Sequence, residues 1–343
     1  MAAERADTVD RYARQTAFEK IGRTGQEKLL QSRVTILGLG ALGTVIAESL
    51  CRAGVGRIRL VDRDLVELSN LQRQVLYTEE DARRESPKAV AAAEHLAEIN
   101  STVALEPLIA DVNAANIEEC IAGADLVLDG SDNFELRFLL NEACCKHTIP
   151  WIYGGAIAAS GSSMNILPGG PCFRCLSPEM PAAGSYPTCS SAGVLNMVTG
   201  IVACFEAAEA VKILTGSPDV SRQYLSIDLW GNSVDYITVQ KNPECPVCGK
   251  GEYGLLGKLS GAHTVSLCGQ DAIQVIPGAG TKIDLEEFAA KLEKTGAVRR
   301  SPFMLTFNDG KASFNLFSDG RAIIRQMQDP GAAKSIYAEY IGL

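Results

Sequence analysis

The chain has little of what a nucleic-acid or membrane protein needs. Aromatic residues make up 6% of its 343 positions, too few for a platform on which single-stranded bases stack. Lys and Arg number 32 against 41 Asp and Glu, a net charge of −9. No cationic surplus therefore draws in nucleic acid or an anionic membrane, and any phosphate site must rest on locally placed cations. Residues 1–10 are polar and charged, without the apolar core of a signal peptide. The most apolar region, 192–214, is interrupted by Glu206, Glu209 and Lys212. It reads as a buried or dimer-interface helix rather than a membrane span, and the chain as a cytoplasmic protein. Histidine is scarce, and His95, His147 and His263 all lie outside the motifs below.

Cysteine, in contrast, is abundant. In a reducing compartment the eleven residues are expected to be thiols or metal ligands, not disulfides. Cys172-Phe173-Arg174-Cys175 and Cys245-Pro246-Val247-Cys248 each offer two thiolates at the spacing of a zinc knuckle. The pairs are too far apart for one local finger, so a structural Zn2+ would tie the crossover region to the end of a sheet; redox dithiols or idle thiols are the alternative. Cys189, in a run of small residues before the long apolar helix, is either a thiolate favoured by a helix N-terminus or a passive loop thiol. Cys51, Cys204, Cys144 and Cys145 read as packed thiols.

A glycine-rich loop, Gly38-Leu39-Gly40-Ala41-Leu42-Gly43, joins a β-branched strand at 33–38 to a helix at 42–53. Gly54 and Gly56 end that helix, and a second strand, 58–61, closes on Asp62. Missing Cβ atoms let backbone N–H groups approach phosphate oxygens, and Asp62 is placed to accept from ribose hydroxyls. Alone, this does not separate NAD from ATP. The cations lean towards ATP: Arg73 follows the second strand, and Lys88 is expected as the second residue of a helix opened by Ser86 as N-cap and Pro87. A lysine there opposes the helix dipole unless an anion docks against it. Asp129, Asp132 and Asn133 follow a strand at 126–128, where a carboxylate can hold Mg2+ against phosphates.

Further strands at 103–109 and 151–153, a helix at 191–215, and strands at 224–228 and 234–239 complete the expected α/β fold. It is a doubly wound, Rossmann-like, mostly parallel sheet with zinc-clipped strands. Residues 1–250 form this domain, and 249–254 read as a linker. Residues 251–343 read as a small α+β domain, with strands at 264–267 and 272–276, a helix at 285–292, a hairpin at 303–307 and 313–317, and a last helix at 332–340. Leu267-Cys268-Gly269-Gln270 makes no convincing rhodanese anion loop, and a carrier-docking or dimer-supporting role is expected of this part.

Taken in order, Arg11-Tyr12-Ala13-Arg14-Gln15, the glycine loop, Asp62, Ser69-Asn70-Leu71-Gln72-Arg73-Gln74, Pro87-Lys88, the run 128–133 and the cysteine quartet resemble the adenylating domain of the ubiquitin-activating superfamily. The likeness is to its ThiF/MoeB/HesA members, which activate sulfur-carrier proteins, and it covers about residues 10–250. By that resemblance, Asp62 binds ribose and Asn70, Arg73 and Lys88 address the phosphates of ATP. Gly38, Gly40, Ala41, Gly43, Asp64, Gln74, Asp129 and Asn133 would complete the pocket, and Asp132 would organise Mg2+. Arg14 would reach the active site of a partner subunit, which implies a homodimer. Ala41 stands where glycine is common in the family. In relatives, the cysteine at the place of Cys189 takes the activated glycine as a thioester or joins in sulfur transfer.

The implied partner is a ubiquitin-like sulfur carrier ending in Gly-Gly, serving thiamine, molybdopterin or related synthesis. Its terminal carboxylate, with a pKa of about 3.3–3.7, is already ionised at neutral pH, so attack on the α-phosphorus needs no general base. Two rivals remain: an NAD-dependent dehydrogenase, and an adenylating relative acting on a peptide or a tRNA base.

Overall fold

The computed structural model describes residues 11–181, 192–257, 263–266, 271–277 and 281–342. Two compact units meet in sequence at Gly257 and Lys258.

In the first unit, helix α1 (Gly22–Gln31) leads into β1 (Arg33–Leu37), α2 (Ala41–Ala53) and β2 (Arg57–Asp62). The run Val34, Ile36, Leu37 is buried on both sides, as a central parallel strand requires. Gly54 stops α2 in the left-handed conformation, with φ +83°. Next come α3 (Lys88–Ile99), β3 (Ala104–Ile109), β4 (Leu126–Asp129) and α4 (Phe134–His147). The unit continues through β5 (Trp151–Ile157), β6 (Ser160–Ile166), α5 (Asn196–Thr215), β7 (Tyr224–Asp228) and β8 (Ser233–Ile237).

The sheet runs β3-β2-β1-β4-β5-β6-β7-β8. Pairing is parallel from β3 to β5 and antiparallel from β5 to β8. β6 was not expected; its Ser-Gly-Ser-Ser opening hides the alternation of a strand. Apolar clusters cover both faces, one centred on α2, α3 and α5, the other on α4, Trp151 and Phe173. The strand order reverses between β1 and β4, and open α/β sheets bind ligands at the carboxyl ends beside such a switch.

Three sequence expectations are corrected here. Ser86 does not cap α3: the cap is Pro87, extended at ψ 133°, and Lys88 is the first helical residue, not the second. The cause is an antiparallel bridge between Leu65 and Pro87, with Val66 N–H on Ser86 O at 2.9 Å and Lys88 N–H on Asp64 O at 2.9 Å. The long helix begins at Asn196, because 193–195 pair with Ala158 through Ala158 N–H to Gly193 O (2.9 Å) and Leu195 N–H to Ala158 O (2.7 Å). Residues 249–254 are not a linker. Gly249 and Lys250 donate to Cys245 O, Gly251 to Val247 O, and Leu255 N–H reaches buried Glu142 at 2.7 Å, so this segment packs onto the first unit.

The second unit is α+β. Its sheet is wholly antiparallel, in the order β11 (Ala297–Arg300), β12 (Met304–Asn308), β13 (Ser313–Phe317), β14 (Ala322–Arg325), β10 (Ala272–Ile276), β9 (His263–Ser266). Helices α6 (Leu285–Leu292) and α7 (Pro330–Tyr340) cover one face. Alternate residues point to that core: Leu305 and Phe307, Phe314 and Leu316, Ala322 and Ile324, Ile273 and Val275. Asp284 and Asp329 cap the two helices. β11 and β14 were missed because neither short run stands out from its flanks.

Candidate functional site

The glycine loop is held against the end of β4 by three glycines that interlock. Gly38 has φ +90°, and a Cβ there would lie 2.8 Å from Gly130. A Cβ on Gly43 would lie 1.9 Å from Gly38 O, and one on Gly130 2.3 Å from the same oxygen. Only glycine permits these approaches. Gly40 differs: a Cβ added there meets nothing nearer than Gly130 O at 3.8 Å and Gln74 Nε2 at 3.9 Å. Gly40 is also the N-cap of α2 and offers no side-chain cap. The loop thus presents backbone N–H groups and a helix N-terminus to an open side, the arrangement that binds phosphate. Ala41, half-buried, opens the helix.

Asp62 ends β2 beneath this loop. Its Oδ2 accepts from Leu39 N–H and its Oδ1 from Asp64 N–H, each at 2.7 Å. Burial raises its pKa, an effect that nearby Lys88 opposes. Lys88 is itself buried, with Nζ 3.4 Å from Asp64 Oδ2. Burial works against its charge, but Asp64, Asp62 and Asp132 outweigh this and raise its pKa. Lys88 therefore shares the carboxylates of Asp62 and Asp64 with Arg63, which lies 3.7 Å from Asp64, and Asp132 adds a further negative charge to this edge.

Asn70 and Gln74 are buried, and Asn70 Oδ1 and Gln74 Oε1 meet no donor among the described residues. Such acceptors cost about 1–3 kcal/mol each unless a ligand or water donates to them. Arg73, half-buried between them, places Nη1 3.1 Å from Ser69 O.

At the end of β4, Asp129 is spent within the fold. It accepts from Ser131 N–H (3.0 Å) and Oγ (2.6 Å) and pairs with buried Arg137 at 2.8 Å. Asn133 caps α4 through Glu135 and Leu136 N–H. Asp132, between them, is exposed. Arg14 is exposed on the helical turn Ala13–Thr16, whose Gln15 donates to Ala53 O at 2.9 Å. That anchor is at the opposite end of 13-residue α2 from the glycine loop, about 20 Å away. Arg14 is not brought to its own chain's loop.

The four predicted cysteines converge. Their sulfurs all lie within 4.8 Å of one another, with Cys172–Cys245 at 3.7 Å and Cys175–Cys248 at 3.4 Å. Tetrahedral zinc, with Zn–S near 2.3 Å, would set its sulfurs about 3.8 Å apart. Asn141 of α4 supplies an independent test of fit. Its Oδ1 accepts from Phe173 N–H at 2.8 Å, while its buried Nδ2, on the Cys172 side, has no hydrogen-bond partner among the described residues. Neighbouring Cys145, against the opposing effect of burial, holds the Cys172 thiol well below its usual range. An orphaned buried donor beside the cysteines suits a metal-bound thiolate. Cys189 lies outside the described residues. Cys51 and Cys144 are buried as expected, but Cys204 is exposed, because it falls on the outward face of α5.

Residues 12–247 match the ThiF family. The chain belongs to that family. It is similar along nearly its whole length to the sulfur carrier protein ThiS adenylyltransferase of Bacillus subtilis: 40% identical over 336 residues, 97% of this chain and 99% of that protein. A SAMP-activating enzyme E1 of Haloferax volcanii is 40% identical over 247 residues, 72% of this chain and 91% of the relative. Among solved structures, Escherichia coli MccB with MccA-N7isoASN shares the fold, with a TM-score of 0.62 and 23% identity, covering 70% of this chain and 74% of that one.

This ThiF-family chain is an adenylyltransferase, and the dehydrogenase reading is set aside. Among its described residues no helix is long and apolar enough to cross a membrane. Sequence reasoning missed several residues that shape the edge around the glycine loop. Arg137 reads as one charged residue in a helix, yet its guanidinium is buried, binds Asp129, Ser131 O and Gly154 O, and lies 5.1 Å from the Tyr153 ring centre. Tyr77 donates to Leu39 O (2.9 Å) and Lys88 O (3.3 Å), joining the glycine loop to α3. Gly130 was passed over, although Leu128-Asp129-Gly130-Ser131 already carried the signal.

Proposed function

We propose that this enzyme transfers AMP from ATP to the C-terminal glycine carboxylate of a ubiquitin-like sulfur-carrier protein and releases pyrophosphate. The observation that carries the reading is Lys88, a buried ammonium at the rim of an open glycine loop, ringed by Asp62, Asp64 and Asp132. The nearly full-length likeness to a ThiS adenylyltransferase favours a carrier of the thiamine type over the molybdopterin type.

In this reading the loop N–H groups at Gly40 and Ala41 receive phosphate oxygens and Asp62 receives the ribose. Asn70, Arg73, Gln74 and Lys88 surround the triphosphate. Asp129 and Asn133 act indirectly, by shaping the turn that presents Asp132. Magnesium, held there by Asp132, would lower the repulsion between the polyphosphate and the incoming carboxylate. The carrier's carboxylate attacks the α-phosphorus, the bond to the bridging oxygen breaks, and that oxygen leaves with pyrophosphate. Alignment and positive charge do the catalysis, since the nucleophile arrives ionised. The cysteine quartet would hold zinc as a clip between the 172–175 turn and the chain after β8, away from the chemistry.

Homodimer formation belongs to the same reading. Met197, Ile201 and Cys204 form an exposed apolar stripe on α5, and Arg14 stands far from its own chain's loop. A second subunit would cover the one and use the other. The exposed edge strand β8, with Trp230, Val234, Tyr236 and Ile237 on or beside it, suits a protein partner such as the carrier.

The test is exchange of labelled pyrophosphate into ATP, with a small carrier ending in Gly-Gly and with the same carrier lacking its last glycine. Exchange should require the intact tail. Exchange that ignores the tail, or that proceeds with a short peptide alone, removes the carrier from the reaction.

A further inference from the structure

Glu206 of α5 is fully buried, and neither carboxyl oxygen meets a donor among the described residues. A Cβ on Gly154 of β5 would lie 1.9 Å from its Oε1, so the carboxyl rests against the bare backbone of that strand. The Gly154 carbonyl is held from the other side by Arg137 Nη2 at 2.9 Å. Arg137 has committed Nε to Asp129 (2.8 Å) and Nη2 also to Ser131 O (2.7 Å). The charged groups that reach Glu206 are Asp129 from β4 and Arg137 from α4. From α2 the same cluster holds apolar Ile46, Ala47 and Leu50. On α5 itself, Glu209 is occupied by Lys212 and by Asn165 of β6, and Lys28 of α1 donates to Thr215 O.

We propose that Glu206 is a positioning residue carried as a neutral carboxylic acid, which leaves Arg137 to Asp129 alone and holds the ligand-facing end of β4 in place. Among the described residues Arg137 is the cation that reaches this part of the sheet interior, and Asp129 neutralises it. A second buried carboxylate would have no counter-charge and no donor, a state that proteins avoid by keeping the proton. Burial first, and then Asp129, push the Glu206 pKa well above the carboxylate range, against a smaller opposing pull from Arg137. If Glu206 ionised, it would repel Asp129 and compete for Arg137, which holds Ser131 and the turn leading to Asp132. That consequence for catalysis rests on the adenylation reading above.

The sign of the pH effect follows. Above about pH 4.3 the unfolded chain has released this proton while the native chain keeps it, so each further unit costs the native state up to about tenfold in its folding equilibrium. The benefit is whole below the unfolded pKa and is lost as pH rises through the native one. Glu206→Gln has the same shape and no proton to lose. The variant should be the more stable protein at neutral pH, with a gap in denaturation midpoint that widens from pH 5 to 9. The wild-type infrared spectrum should carry the carbonyl stretch of a buried protonated carboxyl that the variant lacks. Pyrophosphate exchange should fall at the alkaline end in the wild type before it does in the variant. Gly154→Ala should destabilise the protein, and adding Glu206→Ala should relieve part of that loss. Parallel stability curves for wild type and Glu206→Gln, or a carboxyl band common to both, overturn the proposal. A widening gap without any exchange in either protein keeps the proposal and counts against adenylation.

Discussion

The nucleotide edge and the cysteine quartet are built on opposite principles, and α4 joins them. At its first turn α4 offers Arg137 to Asp129 and the turn before Asp132; one turn on, Asn141 accepts from Phe173 N–H, and two turns on Cys145 lies beside Cys172. The edge is left open, with orphan acceptors on Asn70 and Gln74, an exposed Asp132 and open backbone at Gly40. The quartet is closed: four sulfurs within 4.8 Å, buried or half-buried, with Asn242 N–H donating to Cys175 Sγ at 3.5 Å. A site that must take and release ligands at each turnover cannot be satisfied without them. A site that keeps one ion must be satisfied always.

The sharpest way to break this contrast is to remove the metal. Cys245→Ser should lose zinc and destabilise the first unit by about 4 kcal/mol, roughly 10 °C in melting temperature. Elemental analysis and calorimetry would read both, and a folded, metal-free wild type would end the contrast. Lys88→Ala should do the reverse, keeping the metal while exchange falls about 10²–10³-fold. Arg73→Ala should likewise abolish most exchange with the fold spared; a folded variant of undiminished rate would remove Arg73 from the site. Asn141→Ala should speed metal loss to a chelator about 10–100-fold, with exchange by the loaded protein little altered. Tyr77→Phe is the smallest change, about 1 kcal/mol of stability, with a raised KM for ATP if the loop loosens.

Much of this was legible in the chain. The βαβ unit around Gly38–Gly43 and Asp62 showed as a β-branched run, a glycine turn and a 3.6-residue periodicity, signals that neighbours in sequence supply. The cysteine quartet was legible because thiol pairs at that spacing have few other uses. Where the reading slipped, a partner distant in sequence was responsible. Ser86 looked like an N-cap until the pairing of 64–66 with 86–88 drew it into extended backbone. The linker at 249–254 looked free until Glu142 and the Cys245 turn claimed it. β6, poor in β-branched residues at its start, is a strand because β5 and β7 flank it.

By itself, the sequence determined most of the elements, the glycine loop and which four cysteines converge, because each is written in residues a few positions apart. Tertiary structure alone decided which charges meet. Asp129 was given to Arg137 rather than to a ligand, Lys88 was ringed by three acids, and Glu206 was closed in without a counter-charge. The reason is physical. Local conformation follows from steric and hydrogen-bonding terms that act between near neighbours, whereas the cost of a buried charge depends on everything within a few ångströms, and only the folded chain assembles that shell.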